Sequence, residues 1–365
     1  MNKLDYQYPR VELDLKKLKC NIDQIVSRCK DQGIGVAGVI KGFNGIPKGI
    51  MQYEASDCDY IATSRLEQLQ TAANLGVTKP LMLIRIPMLS EAADVVRIAD
   101  VSLNSEISVI KKLNEEAEKQ NKIHKVILMV ELGDLREGFW DKEELIKTAV
   151  YIEKELKGLK LLGIGTNLGC YGSIASTPEK MNELIEYAEK IEKEIGRKLD
   201  VISGGGTRAF PLVLKGIMPK RINNLRIGEV IVIAKELEEL YGYDISFLNQ
   251  DTFILKAEII ELKGKPTYPI GEKDYNAFRE VDEYEDRGIR KRALAALGIV
   301  DFVFTDQLKP TDANISIIGA SSDHLILDVE DCKENYKVGD ILEFKLSYST
   351  LVNVTNSPNV KIICK

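Results

Sequence analysis

The sequence predicts an α/β protein: an eight-stranded β/α (TIM) barrel followed by a mainly β C-terminal domain. Three observations carry this expectation. Eight short apolar runs succeed one another through the first 240 residues, and all but the last are followed by a helical pattern. Beyond about residue 240 the helical period gives way to short strand-like segments. A doubly wound open sheet reads similarly, and the count of eight strands is what favours the barrel.

The first element, residues 10–15 (Arg-Val-Glu-Leu-Asp-Leu), alternates with period two and could pair with the later β domain. The barrel strands are expected at residues 36–40, 60–64, 81–86, 100–104, 125–131, 161–166, 201–203 and 224–227. These are short apolar runs, as strands covered on both faces require. The clearest helix opens at Thr177-Pro178, a cap residue followed by proline at the first helical position. It sets Met181, Leu184, Ile185, Ala188, Ile191 and Ile195 on one face, and Gly196 stops it. Strand-like segments at 252–260, 315–318, 324–329 and 341–346 follow, separated by Gly, Pro and Asp/Asn turns. The expected division is a barrel over residues 11–240 and a β domain over 241–365, joined by residues 1–10.

Composition narrows the function. A chain of 365 residues, 44% hydrophobic and 29% charged, is long enough for one large domain and a smaller one. Its net charge of −6 gives no electrostatic footprint for nucleic acid or an acidic membrane surface. The six cysteines show no CxxC pairing and there are only two histidines, so neither a disulfide framework nor a metal site is expected. His124 begins a strand and reads as structural, and His324 is at most a neighbour of Asp323. The first residues lack the apolar core of a signal peptide, and no apolar run approaches a membrane span. The expected location is the cytoplasm.

In a β/α barrel the chemistry sits at the C-terminal strand ends. The first strand ends in Val39-Ile40-Lys41, where an amine partly desolvated by an apolar strand is a Schiff-base candidate. The bland alternative is a lysine that snorkels to solvent. The fifth ends in Glu131-Leu132-Gly133-Asp134-Leu135-Arg136, and Arg136 could hold a substrate carboxylate or simply be a surface arginine. The sixth brings Thr166 and Asn167 to the mouth. The seventh ends in Ser203-Gly204-Gly205-Gly206-Thr207 and the eighth in Arg226-Ile227-Gly228. Loops after these two strands commonly bind phosphate through backbone N–H groups that glycine leaves approachable; a plain flexible loop is the alternative.

Together these residues resemble the fold-type III pyridoxal phosphate enzymes, the superfamily of alanine racemase and eukaryotic-type ornithine decarboxylase, and most closely its alanine/ornithine racemase branch. The resemblance covers essentially the whole chain. The Pro9-Arg10-Val11-Glu12-Leu13-Asp14-Leu15 opening with Asn21, the Lys41 strand, the Arg136 loop, the glycine loop and Arg226-Ile227-Gly228 follow the family's order.

The resemblance implies pyridoxal 5'-phosphate as cofactor, carried on Lys41, with its phosphate cradled by Ser203, Gly204, Gly205, Gly206, Thr207 and Gly228. Asn167 stands where the family has a histidine stacked on the ring, and no tyrosine follows Lys41 in the usual place; both departures put alanine in doubt as substrate. Arg226 is implied to face the pyridine nitrogen. An arginine does not give its proton to the ring, which suits return of a proton to Cα, whereas decarboxylases of this fold place a glutamate there.

In the second domain, Gly319-Ala320-Ser321-Ser322-Asp323 is similar to the Gly-Pro-Thr-Cys-Asp segment of the basic amino acid decarboxylases. Ser322 replaces the cysteine that faces the cofactor, and Asp323 is implied to bind the distal amine of ornithine; its bland reading is a turn cap. Tyr348 matches a tyrosine that contacts the phosphate. The family's second acid/base is a tyrosine in Pro-Ile-Gly-Tyr-Ala-Asp-Gly, corresponding to residues 269–278 here. No tyrosine directly follows Gly271, so Tyr275, Glu272 and Ser322 are the candidates.

The implied function is racemisation of an amino acid, ornithine before lysine or alanine, by a homodimer whose active sites are shared between subunits. Two alternatives stand beside it. An ornithine or lysine decarboxylase is opposed by Arg226, and a non-catalytic pyridoxal phosphate carrier is opposed by the C-terminal β domain.

Overall fold

The computed structural model describes residues 7–275, 279 and 283–365. The chain divides into one unit of Lys16–Gln250 and another made of residues 7–15 with Asp251–Lys365. The boundaries expected at 10/11 and 240/241 thus fall at 15/16 and 250/251. The shift at the amino-terminal boundary follows from the hydrogen bonds of β1 (Arg10–Leu13), which pairs only with strands of the second unit among the described residues.

After α1 (Leu15–Lys30) the barrel alternates strand and helix. Its first half is β2 (Gly35–Val39), α2 (Pro47–Glu54), β3 (Tyr60–Thr63), α3 (Leu66–Asn74), β4 (Leu81–Leu83), α4 (Ala92–Ile98), β5 (Val101–Asn104) and α5 (Ile107–Lys119). The second half is β6 (His124–Met129), α6 (Lys142–Glu155), β7 (Leu159–Gly165), α7 (Pro178–Ile195), β8 (Val201–Ser203), α8 (Phe210–Leu214) and β9 (Asn224–Ile227), with α9 (Glu229–Val232) and α10 (Lys235–Tyr241) closing the unit. All eight expected strands form. β2 pairs in parallel with both β3 and β9, which closes the barrel.

The barrel interior is filled by alternating large and small apolar side chains, among them Ala37, Ala62, Met82, Leu103, Ile127 and Met129. Close backbone approach demands glycine at Gly163, where an added Cβ would stand 1.8 Å from the Val201 carbonyl oxygen. α7 has the expected ends: the Thr177 hydroxyl accepts the Lys180 N–H at 3.3 Å, and Gly196 stops the helix at φ 75°. At the start of β6, buried His124 meets the Ser102 hydroxyl at 2.8 Å, and burial pulls its imidazole down to about 4. No helix among the described residues is long and apolar enough to cross a membrane.

The second unit is a largely antiparallel sheet. It contains β10 (Phe253–Pro266), β11 (Ile289–Ala295), β12 (Leu308–Pro310), β13 (Ser316–Ala320), β14 (Leu325–Asp328), β15 (Ile341–Leu346) and β16 (Lys361–Cys364), with α11 (Ile299–Phe302) and α12 (Tyr348–Asn356) between strands. The order is β12-β15-β10-β11-β14-β13. β1 lies antiparallel to β10 and parallel to β16. The pairing of residues 10–15 with this domain is therefore observed, while β11, β12 and β16 escaped the pattern reading. The run Ile-Arg-Lys-Arg of β11 carries too much charge to announce a strand, and β12 contains a proline.

Candidate active site

At the C-terminal ends of the barrel strands, Lys41 begins the single turn that follows β2. The strand continues to Ile40, whose N–H donates to the Ala62 carbonyl at 2.9 Å. The turn closes on Asn44, in the left-handed conformation at φ 53°, and Gln68 donates to the Asn44 side-chain oxygen at 2.9 Å. Burial lowers the pKa of the Lys41 amine. The neighbouring Arg136 and Arg226 cations push the same way, against Cys170 and Glu137. A larger share of this amine is neutral, and so nucleophilic, than of a surface lysine.

Arg226, on β9, is 5% exposed. Its guanidinium donates to the Ser203 hydroxyl at 2.6 Å and to the Thr166 carbonyl at 2.7 Å. Ser203 in turn donates to the Asn224 side chain at 2.6 Å, so its hydroxyl serves to hold Arg226 in place. Burial pulls the Arg226 guanidinium down to about 10, which leaves it a cation at neutral pH.

The 203–207 loop wraps the same strand. Gly204 donates to the Asn224 carbonyl at 2.9 Å and Arg226 to that of Gly205 at 2.8 Å, with Gly205 at φ 118°. The Thr207 hydroxyl accepts the Val230 N–H at 3.4 Å. Gly228 packs on β2, where an added Cβ would lie 2.9 Å from the Cβ of Val39. Asn167 leaves its side-chain N–H donors buried without a partner among the described residues.

The β6 end is built by two acids. Glu131 accepts the N–H of Gly133 at 2.5 Å and of Arg136 at 3.1 Å. Asp134, fully buried, gathers the N–H groups of Gly169, Cys170, Tyr171 and Ile174 at 3.0–3.3 Å. Burial alone would raise its carboxyl, and these backbone donors bring it below the ordinary value. The turn then folds back so closely that Gly138, at φ 137°, would put a Cβ 2.5 Å from the Glu131 nitrogen. The backbone of Arg136 is thereby fixed, and its exposed guanidinium is engaged in a two-bonded pair with Glu137.

The pattern reading missed two acids at this mouth. Glu137 is one. The other is Glu229, whose carboxylate lies 3.2 Å from Arg208 and is raised to about 7 by burial and a hydrogen bond with Glu236. An acid immediately after the Arg226-Ile227-Gly228 strand end was the available signal.

The remaining predicted residues belong to the second unit. Ser322 and Asp323 occupy the exposed turn between β13 and β14. The Ser321 and Ser322 carbonyls accept the N–H groups of Ile299 and Val300 at 3.0 and 3.2 Å, which fixes the turn. The Asp323 carboxylate makes no hydrogen bond among the described residues, so it is not the turn's cap. Tyr348 opens α12. Tyr275 is 72% exposed and Glu272 is exposed; Asn276, Ala277 and Phe278 of the same segment lie outside the described residues.

The barrel residues fit a small anionic aldehyde. A partly buried amine of lowered pKa can condense with a carbonyl, and Asn167 offers an unmet donor.

The family model described as alanine racemase, N-terminal domain, matches residues 13–236, a region containing all eight barrel strands. The chain is 41% identical over 345 residues to ornithine racemase of Acetoanaerobium sticklandii, covering 94% of this chain and 96% of that protein. It is 36% identical over 354 residues to lysine racemase of Thermotoga maritima, covering 97% and 98%. Among solved structures, alanine racemase from Streptomyces lavendulae superposes with a TM-score of 0.77 at 15% identity, over 99% of this chain and 98% of that one. D-Threonine aldolase from Filomicrobium marinum gives 0.73 at 13%, over 96% and 90%, so the fold is shared with other chemistry. Because the family region takes in the whole barrel and the sequence likeness continues through the second unit, the chain belongs to the alanine racemase family.

Proposed function

We propose that this protein is a pyridoxal phosphate-dependent amino acid racemase whose substrate is ornithine. The observation that carries the reading is the meeting of Lys41, Arg226 and the 203–207 loop at one barrel mouth, in a chain 41% identical to an ornithine racemase over nearly its whole length. Lysine is the second substrate, favoured by the likeness to a lysine racemase.

Lys41 would hold the cofactor, Gly205, Gly206, Thr207 and Gly228 would cradle its phosphate with Tyr348, and Asn167 and Arg226 would face its ring, while Ser203 and Gly204, expected in the cradle, are engaged with Arg226 and Asn224. When bound, the cofactor withdraws electrons from the bond between Cα and its hydrogen. Lys41, with its lowered pKa, takes or returns the proton on one face of Cα. Tyr275, Glu272 or Ser322 acts on the other, since inversion needs a proton donor on each face. Arg226 remains a cation held by Ser203 and Thr166, so it gives up no proton and does not favour loss of carbon dioxide. Arg136 binds the substrate carboxylate and Asp323 the distal ammonium.

The proposal includes a cytoplasmic homodimer in which Tyr275, Ser322 and Asp323 act in the partner's site. The purified protein, supplied with pyridoxal phosphate, is incubated separately with L-ornithine, L-lysine and L-alanine. Loss of optical rotation without carbon dioxide release is the expected result for ornithine. Carbon dioxide release would replace this reading with a decarboxylase.

A further inference from the structure

Arg136, the fork expected to take a substrate carboxylate, already holds one. Glu137 meets it through two parallel N–H···O contacts, Nε to Oε2 and NH2 to Oε1, the fork-to-fork geometry that guanidinium and carboxylate prefer. The pair is not loose surface decoration. The Glu131 carboxylate and the tight Gly138 turn fix the backbone of Arg136, whose side chain is 39% exposed, and the Glu137 side chain is 19% exposed. Glu137 also lies close enough to Lys41 and Arg226 to act on both of their charges. It is therefore an acid among three cations, one of them the amine on which the proposed reaction depends.

An amino acid that binds the Nε/NH2 edge of Arg136 through its α-carboxylate must first displace Glu137. The displaced acid then stands beside the bound substrate without the charge-assisted partner it had. A neutral side chain leaves that loss in place. A side chain ending in an ammonium removes it.

We propose that Glu137 selects diamino acids by exchange of partners: it closes the Arg136 fork in the free enzyme, yields the fork to the substrate's α-carboxylate, and then pairs with the substrate's side-chain ammonium. This rests on the reading of the protein as a racemase of ornithine or lysine. An ammonium carries three N–H donors, so a contribution from Asp323 is compatible with it.

The test compares wild type with Glu137→Gln and Glu137→Asp, each as the pyridoxal phosphate-loaded enzyme. It measures kcat/KM for L-ornithine, L-lysine and L-alanine and the inhibition constant of propionate, a carboxylate with no ammonium. In Glu137→Gln, ornithine kcat/KM should fall roughly thirtyfold or more, the scale of losing one partner of a partly desolvated charge pair. Propionate should bind several-fold more tightly and alanine turnover should rise, because the fork is no longer contested. Glu137→Asp should keep selectivity for diamino acids but move it toward the longer lysine.

Effects of opposite sign for ornithine and propionate would not arise from a merely structural role. If ornithine, alanine and propionate all weaken together, or propionate binding is unchanged, the exchange is wrong. A wild type selective for diamino acids whose selectivity survives in Glu137→Gln overturns this inference alone. A wild type that racemises alanine and neither diamino acid overturns the substrate reading and this inference with it.

Discussion

At the residue scale the protein is organised around one amine. Lys41 is set by a short turn at the end of a strand, and burial among Arg136 and Arg226 weakens its hold on a proton. Borohydride treatment of the cofactor-loaded protein should fix the chromophore to the peptide carrying Lys41, and Lys41→Ala should abolish racemisation. Recovery of the label on any other lysine would place the cofactor elsewhere than at the end of β2. Asp323 is the second residue on which the reading depends. Its exposed carboxylate has no partner among the described residues, so Asp323→Ala removes no structural bond there. If the proposed shared site covers this carboxylate, the change should cost about 2–4 kcal/mol in ornithine turnover, the range for removing one side of a desolvated charge pair, and much less for alanine. Equal losses in kcat/KM for the two substrates would make Asp323 a scaffold residue.

At the scale of elements, strands β5 and β6 store a pH dependence away from the chemistry. His124 opens β6 as a buried, neutral imidazole against Ser102, with its folded pKa near 4 because burial opposes the charge. A depressed folded value means that the unfolded chain binds the proton first. The contribution is fully present above the unfolded value of about 6.5 and is lost as pH falls toward 4. The drop amounts to about 3 kcal/mol if the whole shift is expressed. Urea denaturation of wild type and His124→Gln across pH 4 to 8 checks this: the stability gap between them should narrow as the solution is acidified. A gap constant with pH would mean that His124 is reached by water.

For the whole molecule, the two units divide the predicted site residues between them. Lys41, Asn167, Arg226 and the glycine loop belong to the barrel, and Tyr275, Ser322, Asp323 and Tyr348 to the β unit. If sites are shared across a homodimer as proposed, two defective variants should complement each other. Equal amounts of Lys41→Ala and Asp323→Ala, mixed under conditions that exchange subunits, should recover about a quarter of wild-type activity, because half the dimers are mixed and each has one intact site. Sedimentation should give twice the 40.9 kDa chain mass. Monomeric mass, or no recovery on mixing, would confine each site to a single chain.

The sequence alone determined the order of the barrel strands, since each is a short apolar run and apolar runs are visible without knowing what covers them. It also set Lys41, Arg226 and the three consecutive glycines at strand ends, because strand ends follow once strands are found. The ends of α7 were legible for the same local reason, a threonine cap, a proline and a glycine stop. Tertiary structure alone decided the rest. Glu137 adjoins Arg136 in the chain, but only the fold sets it near Lys41 and Arg226, and only the fold brings Arg208 to Glu229. The charged run of β11 becomes a strand because β10 and β14 flank it, and β16 is paired with β1 across almost the full length of the chain. Such pairings depend on partners distant in sequence, and local composition carries no record of them.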